Sequence, residues 1–180
     1  MEQFTTLRQT DRMQIRKLNQ ADAGAYWDLR LESLVSEPFA FGTDAEEHRR
    51  IPIENVIKRM EEIQGPSFIL GGYDLDTLIA VGAFSRETGI KERHKGHITG
   101  LYVTGHYRNC GFGRQMIAAL LNEATTDDSL ESVLLSVSST QVSALGLYRQ
   151  FGFETYGTER KALKIGKEYV DEHHMIMCLR

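Results

Sequence analysis

Apolar residues change their spacing several times along this 180-residue chain, and each change marks a new element. "MQIRKL" alternates apolar and polar positions, which predicts a first strand. In the following "NQADAGAYWDLRLESLV", Asn19 is placed to cap a helix and Asp22 falls in its first turn. Ala23, Trp27, Leu31 and Leu34 then recur on one helical face. "SEPFAFGT" breaks the pattern and predicts a loop. "IPIENVIKRMEEI" carries Pro52 near a helix start, where the missing N–H is tolerated, with Ile53, Val56, Ile57, Met60 and Ile63 as its stripe.

The run "FILGGYDLDTLIAVGAFSRE" predicts two strands joined near "DLDT". "GHITGLYV" predicts another, with His97, Thr99, Leu101 and Val103 on one face by strict alternation. After the glycine-containing "TGHYRNCGFG" comes a helix over "RQMIAALLNEATTD", striped by Met116, Ile117, Leu120, Leu121 and Ala124. "SVLLSV" is nearly all apolar and predicts a strand covered on both faces. "TQVSALGLYRQFGF" predicts a compact helix stopped by Gly152. "KALKIGKEYVDEHHMIMCL" predicts a closing hairpin turning at Gly166-Lys167. The order β-α-α-β-β-β-α-β-α-β-β is a mixed α/β arrangement. With no repeat or linker-like tract, it predicts one domain over 1–180.

Composition narrows the function classes. Hydrophobic residues make up 41% and charged residues 26% of the chain, a folded rather than a disordered balance. A net charge of −4 and a pI near 5.9 argue against a general nucleic-acid binder. Cys110 and Cys178 form neither a metal-ligand spacing nor a disulfide framework, which fits a reducing compartment. The N-terminal stretch has no apolar leader core, and no apolar run reaches membrane-spanning length. The expectation is a cytoplasmic protein without a membrane partner.

The candidate chemistry lies in "YRNCGFGR", between a strand and a helix. The first N–H groups of a helix lack internal acceptors and, with the helix dipole, attract anions. Glycines let the backbone approach a phosphate, and Arg108 and Arg114 add charge. The same glycines could equally serve a purely structural turn. Two nucleotide readings drop out: Gly113-Arg114-Gln115 lacks the Lys-Ser/Thr ending of a triphosphate loop, and "LLSVSSTQ" lacks the acid that a dinucleotide fold places for the ribose.

"HITGLYVTGHYRNCGFGRQMIAALLNEA" resembles the central motif of the GNAT N-acetyltransferases, Arg/Gln-x-x-Gly-x-Gly/Ala between a strand and a helix, with Arg108, Gly111 and Gly113 at its defining positions. "SSTQVSALGLYRQFGF" resembles that family's second motif through Ala144, Leu147, Tyr148, Gly152 and Phe153. The resemblance implies a mixed, mostly antiparallel sheet with a central splayed parallel pair, near Leu101–Val103 and Leu134–Val137, flanked by helices. It implies acetyl-CoA as co-substrate. The pantetheine would pair with the strand backbone at Leu101, Tyr102 and Val103. The pyrophosphate would lie on Arg108, Asn109, Cys110, Gly111, Phe112, Gly113 and Arg114. No metal is implied.

The resemblance also implies a primary amine of a small molecule or protein as acceptor, and its direct attack is the default because the sequence shows no nucleophile–base arrangement. Val103 N–H would serve as oxyanion donor and Tyr148 as general acid, with Tyr148 and Gln141 also touching the cofactor. A homodimer is a frequent state in the family. Two positions depart from its pattern: Gln141 stands where asparagine is frequent, and Thr99 stands near where many members carry a glutamate, so the base is unassigned. Alternatives stand beside several of these roles. Tyr148 also fits a core aromatic, and Gln141 a helix opener. Cys110 fits a loop thiol better than an acyl carrier. His97 suits a base or a structural contact, and Glu46 and Glu47 suit acceptor docking or a solvated surface. Phe41, with Phe39, fits an acceptor pocket or a core anchor. His173 and His174 are adjacent on a strand and point to opposite faces, against joint metal ligation. A non-catalytic acyl-CoA-binding regulatory module is the alternative function.

Overall fold

A computed structural model describes residues 13–63 and 65–179. The stretch 1–12, on which the reading of no leader partly rests, lies outside these residues. The elements run β1 (Gln14–Lys17), α1 (Ala23–Ser36), α2 (Ala45–Arg49), α3 (Ile53–Glu62), β2 (Phe68–Asp74), β3 (Thr77–Arg86), β4 (Lys95–Val103), α4 (Phe112–Ala124), β5 (Ser132–Ser138), α5 (Val142–Gln150), β6 (Glu154–Ile165) and β7 (Glu168–Cys178). Short 3-10 turns at Gln20–Asp22 and Gly105–Tyr107 precede α1 and follow β4.

Seven strands form one sheet in the order β1-β2-β3-β4-β5-β7-β6. Every pair is antiparallel except β4–β5. That parallel pair is short. Lys95, Gly96 and His97 oppose Ser132, Val133 and Leu134, and the two strands then part. β5 stays paired with β7 as far as Ser138, while β4 runs on to Val103 paired only with β3. The sheet therefore opens into a wedge at its centre.

Helices cover both faces. α4 and α5 pack on one, where Phe84, Ile98, Met116, Ile117, Leu120, Val133, Phe153 and Met175 form a sealed core. The predicted α4 stripe is buried throughout. The other face carries a smaller cluster of Leu29, Ile69, Tyr73, Leu78, Val81 and Tyr102, joined by Met60 and Ile63 of α3 and its C-cap and by Phe41. Asn19 caps as its sequence position predicts, accepting from Ala21 N–H at 2.9 Å, and Asp22 returns a bond to Asn19 N–H at 2.9 Å.

Four details differ from the pattern-based expectations. Strict alternation puts His97, Thr99, Leu101 and Val103 on one face, but Gly100 adopts φ 62° and the β3 register slips opposite it, between Val81 and Ala83. This bulge adds one residue and reverses the alternation beyond it. Ile98, Leu101 and Val103 consequently join the α4 side, whereas Tyr102 joins the α1 side. Second, α2 was not expected. Asp44 caps it by accepting from Glu46 N–H at 2.7 Å. Third, β6 begins at Glu154, upstream of "KALKI", because a bulge near Lys161 (φ 56°) hides the alternation. Fourth, α1 buries Leu29 and Ser33 with Ala23 and Leu34, while Trp27 and Leu31 are only half-buried.

Candidate active site

The wedge leaves one edge of β4 without a strand partner. Thr104 N–H donates to Ile79 O of β3 at 2.9 Å. Successive strand residues aim their backbone groups to opposite sides, so the N–H and C=O of Val103, one residue earlier, face the open gap. Arg108 Nε donates to Val103 O at 3.0 Å. The Val103 N–H remains directed at the gap, and an extended ligand can bond it as a further strand would.

Below this edge the chain turns through Gly105–Tyr107 into α4. Tyr107 OH donates to Asp74 Oδ2 at 2.6 Å, and its ring lies 5.8 Å from that of Phe112, which pins the turn. Asn109 and Gly111 both take positive φ, 61° and 81°. Gly111 is the N-cap residue of α4 and has no side chain to cap with. The helical ladder begins with Gln115 N–H to Gly111 O at 3.1 Å. The N–H groups of Phe112, Gly113 and Arg114 are therefore left without helical acceptors, at the positive end of the dipole. This geometry suits an anionic group.

The flanking arginines are partly committed. Arg108 forms an ion pair with Glu37, just past the end of α1, and its guanidinium lies 5.2 Å from the Tyr102 ring centroid. Arg114 bonds Gln150 of α5 and lies over Phe151. Glu37 reaches across the wedge, since Gln141 Nε2 also donates to it at 3.1 Å. Gln141 occupies the N-cap position of α5 but makes no capping bond there. Tyr102 OH donates to Glu32 Oε1 at 2.9 Å and lies 2.9 Å from Ser36 Oγ, which leaves the Ser36 hydroxyl as the donor in that contact. Burial raises the Tyr102 pKa above its ordinary value. Glu32 and Glu37, which hold the β4 end from α1, were not singled out in the sequence. Their only signal there is their place near the end of an amphipathic helix.

Tyr148 lies on α5, the helix that follows β5, 7% exposed, with its ring 5.9 Å from Phe153 in an edge-to-face contact. Burial pushes its phenol up to about 12. No hydrogen bond joins its hydroxyl to a described residue. The ring belongs to the core, and the hydroxyl has no partner among the described residues.

On the α1 face of the sheet a cavity of about 720 Å³ adjoins the bulge. Tyr26, Arg30, His48, Arg59, Thr99 and Gly100 are among the residues that line it. Phe41 lies beside it under the Arg30 guanidinium, at 4.3 Å. His48 is buried, stacks on Trp27 at 5.0 Å and places Nε2 3.0 Å from the Trp27 carbonyl oxygen, so that nitrogen is the donor. Glu46 and Glu47 are exposed on α2 and do not line the cavity; Glu46 pairs with Arg49. His97 also stands apart, with Nε2 3.0 Å from Glu87 Oε1. Cys110 is exposed in the loop. His173 and His174 contact different partners, Thr158 and Ser136. Among the described residues no cluster of three or more potential ligands could hold a metal, and no helix is long and apolar enough to cross a membrane.

Residues 15–174 match the family model of the acetyltransferase (GNAT) domain. Among curated proteins, the chain is 31% identical over 103 residues to N-alpha-acetyltransferase 50 of Danio rerio, covering 57% of this chain and 61% of that protein. The match thus spans about three-fifths of that relative's length. Among solved structures, an acetyltransferase of the GNAT family from Streptococcus pneumoniae superposes with a TM-score of 0.84 at 17% identity, covering 93% of this chain and 100% of that one. Another, yncA of Salmonella typhimurium with its cofactor acetyl-CoA, gives 0.80 at 18% identity, covering 94% and 95%. At such identities the likeness is one of fold.

Proposed function

The chain belongs to the GNAT acetyltransferase family, and from that premise we propose that it is a single-domain, acetyl-CoA-dependent N-acetyltransferase whose acceptor is a primary amine of a small molecule or protein. The observation that carries the reading is the open edge of β4 beside the uncapped start of α4. One offers unpaired backbone to an extended amide-bearing chain, and the other offers free N–H groups to a diphosphate. Acetyl-CoA has both parts, and the residues present fit it. The curated relative named as an N-alpha-acetyltransferase and the neighbour that holds acetyl-CoA support the same choice.

Acetyl-CoA supplies the thioester. The backbone at Leu101 and Val103 holds its arm against β4, and the loop from Arg108 to Arg114 holds its diphosphate. Val103 N–H donates to the carbonyl oxygen as charge develops there, and a fixed donor of this kind needs no reorganisation. The neutral amine attacks directly from the cavity side, the carbon–sulfur bond breaks as the tetrahedral adduct collapses, and the proton the nitrogen sheds passes to solvent, balancing the one the sulfur gains. Tyr148, on α5, donates its hydroxyl proton toward the departing sulfur. With its pKa near 12 it is fully protonated at neutral pH, so the donor is always loaded. Gln141, tied to Glu37, borders the same gap.

The test is release of free thiol from acetyl-CoA with a panel of amino acids, polyamines, aminoglycosides and peptides, beside calorimetry with acetyl-CoA alone. Binding together with amine-dependent release is expected. Binding without release across the panel would favour the acyl-CoA-binding regulatory module. Absence of binding at millimolar acetyl-CoA would remove both readings.

A further inference from the structure

We propose that the cavity beside the β4 bulge recognises an anionic group on the acceptor, and that the acceptor is a small amine carrying a carboxylate or phosphonate held by Arg30, with Arg59 at the rim. The proposal rests on the acetyltransferase reading for its chemistry, but its geometry is independent of that reading.

Among the described residues, four charged side chains line the cavity: Arg30, Lys58, Arg59 and Glu62. Lys58 and Glu62 pair with each other at 3.8 Å. Neither Arg30 nor Arg59 makes an ion pair with any described residue. Arg30 is half-buried in this position. One face of its guanidinium lies 4.3 Å from the Phe41 ring, which fixes the plane and leaves the N–H edge free. Its one polar side-chain contact is a long one, 3.5 Å to Ser33 Oγ, and Ser33 spends its own proton on Arg30 O at 2.7 Å. Burial, with the Arg59 charge adding to it, pulls the Arg30 pKa below its ordinary value. A guanidinium partly withdrawn from water without a counter-charge carries part of the cost of a buried ion. An anionic ligand relieves that cost and can take the free fork in two parallel bonds.

The location connects this charge to the chemistry. Arg30 Nη1 lies 4.0 Å from where a Cβ would stand on Gly100, at the bulge that turns β4 toward Leu101 and Val103. An acceptor anchored there by its anion presents an amine a few atoms away to the open edge of β4. The cavity's remaining walls mix apolar side chains, including Val56, Ile69 and Val81, with hydroxyls such as Thr43, Ser67 and Thr99, and suit a small, partly polar body.

The experiment measures kcat/KM for matched pairs: L-leucine, β-alanine and 4-aminobutyrate, each against its amide, and 2-aminoethylphosphonate against ethylamine. A charge-assisted fork contact predicts that at least one anionic member exceeds its neutral partner by about 10- to 100-fold. Comparison of the carboxylates with the phosphonate shows which anion is taken. In Arg30→Met the ratio of acid to amide should collapse toward one. Arg59→Ala, at an exposed position where folding is not at stake, should reduce it in part. Unchanged melting temperature and acetyl-CoA affinity keep folding out of the comparison. A preference for neutral or polycationic amines, or a ratio indifferent to Arg30→Met, overturns the anion site and leaves the acetyltransferase intact. If no amine is acetylated, calorimetry with the same acids decides. Binding that Arg30→Met abolishes sustains the site and sinks the transferase reading, and absence of binding by every acid sinks the site.

Discussion

Replacing Tyr148 by phenylalanine removes one oxygen and nothing else, which makes it the sharpest test of the proposed mechanism. The ring's place against Phe153 and the α4 core is kept. The residue is 7% exposed, and the lost hydroxyl is bonded to no described residue. Its removal breaks no hydrogen bond to a described residue, so the variant should match the parent's stability to within about 1 kcal/mol. Catalysis should fall. Loss of a positioned acid costs about 10²–10⁴ in rate, or about 3–5 kcal/mol in the barrier.

The raised phenol pKa refines what kind of acid this is. A thiolate whose conjugate acid lies at about 8.5–10 is a weaker base than a phenolate at about 12, so complete proton transfer is uphill by about 3–5 kcal/mol. In the proposed mechanism the group therefore acts through a hydrogen bond to the sulfur, with the proton following late. It also follows that Tyr148 imposes no alkaline decline in rate below about pH 10. The assay is continuous thiol release at saturating amine from pH 6 to 10, with acetyl-CoA affinity by calorimetry and a melting curve for each protein. Retention of half the parental kcat by Tyr148→Phe would refute the acid role. So would a loss of rate matched by an equal loss of acetyl-CoA affinity, which would make Tyr148 a binding residue.

Three other substitutions probe the frame around the site. Gly111→Ala meets open space but must hold φ 81°, so it should cost about 1–2 kcal/mol and weaken acetyl-CoA binding more than it lowers kcat; unaltered affinity would count against the loop as the diphosphate site. The Arg16 hydrogen bonds hold the Asp22 carboxyl well below the usual carboxylate range. A depressed folded-state value means that its stabilisation is complete above about pH 4, the unfolded-state value, and is lost as pH falls through the lower folded one. Asp22→Asn should therefore lower the melting temperature at pH 7 and narrow the gap to the parent toward pH 2, whereas parallel curves would contradict the linkage. Arg86 is buried and ties two loops, donating to the Arg93 carbonyl and to Ser129 Oγ at 2.8 Å. Arg86→Met should remove about 2–4 kcal/mol by orphaning those acceptors, a drop of about 5–15 °C in scanning calorimetry, and a shift under 2 °C would show the ties to be weak.

What could be read in advance, and what could not, divides along a physical line. Apolar spacing is a property of one element facing one core, so the stripe Met116, Ile117, Leu120, Leu121 and Ala124 and the hairpin turn at Gly166 were legible residue by residue. The wedge between β4 and β5 is a property of two strands that meet for three residues and then part, and no local pattern encodes it. It was accessible only through a likeness between motifs. The faces of β4 differ from strict alternation although the signal was in plain view: a lone glycine inside a strand marks a bulge, and Gly100 puts Leu101 and Val103 on the face of Ile98 rather than that of Thr99. The same applies to α2, announced by Asp44 with Glu47 three positions on, a capping pattern that follows "PFAFGT". Arg30 had no such signal, because on a helical wheel it is simply a polar residue between Leu29 and Leu31. Its significance lies in what fails to surround it. Lys58 finds Glu62 and Arg108 finds Glu37, but the guanidinium beside Gly100 finds only an aromatic ring and a distant hydroxyl. A charge left uncompensated by its described neighbours is visible only once each of them is in place, which is why the proposed acceptor side of the site emerges from the structure rather than from the motifs.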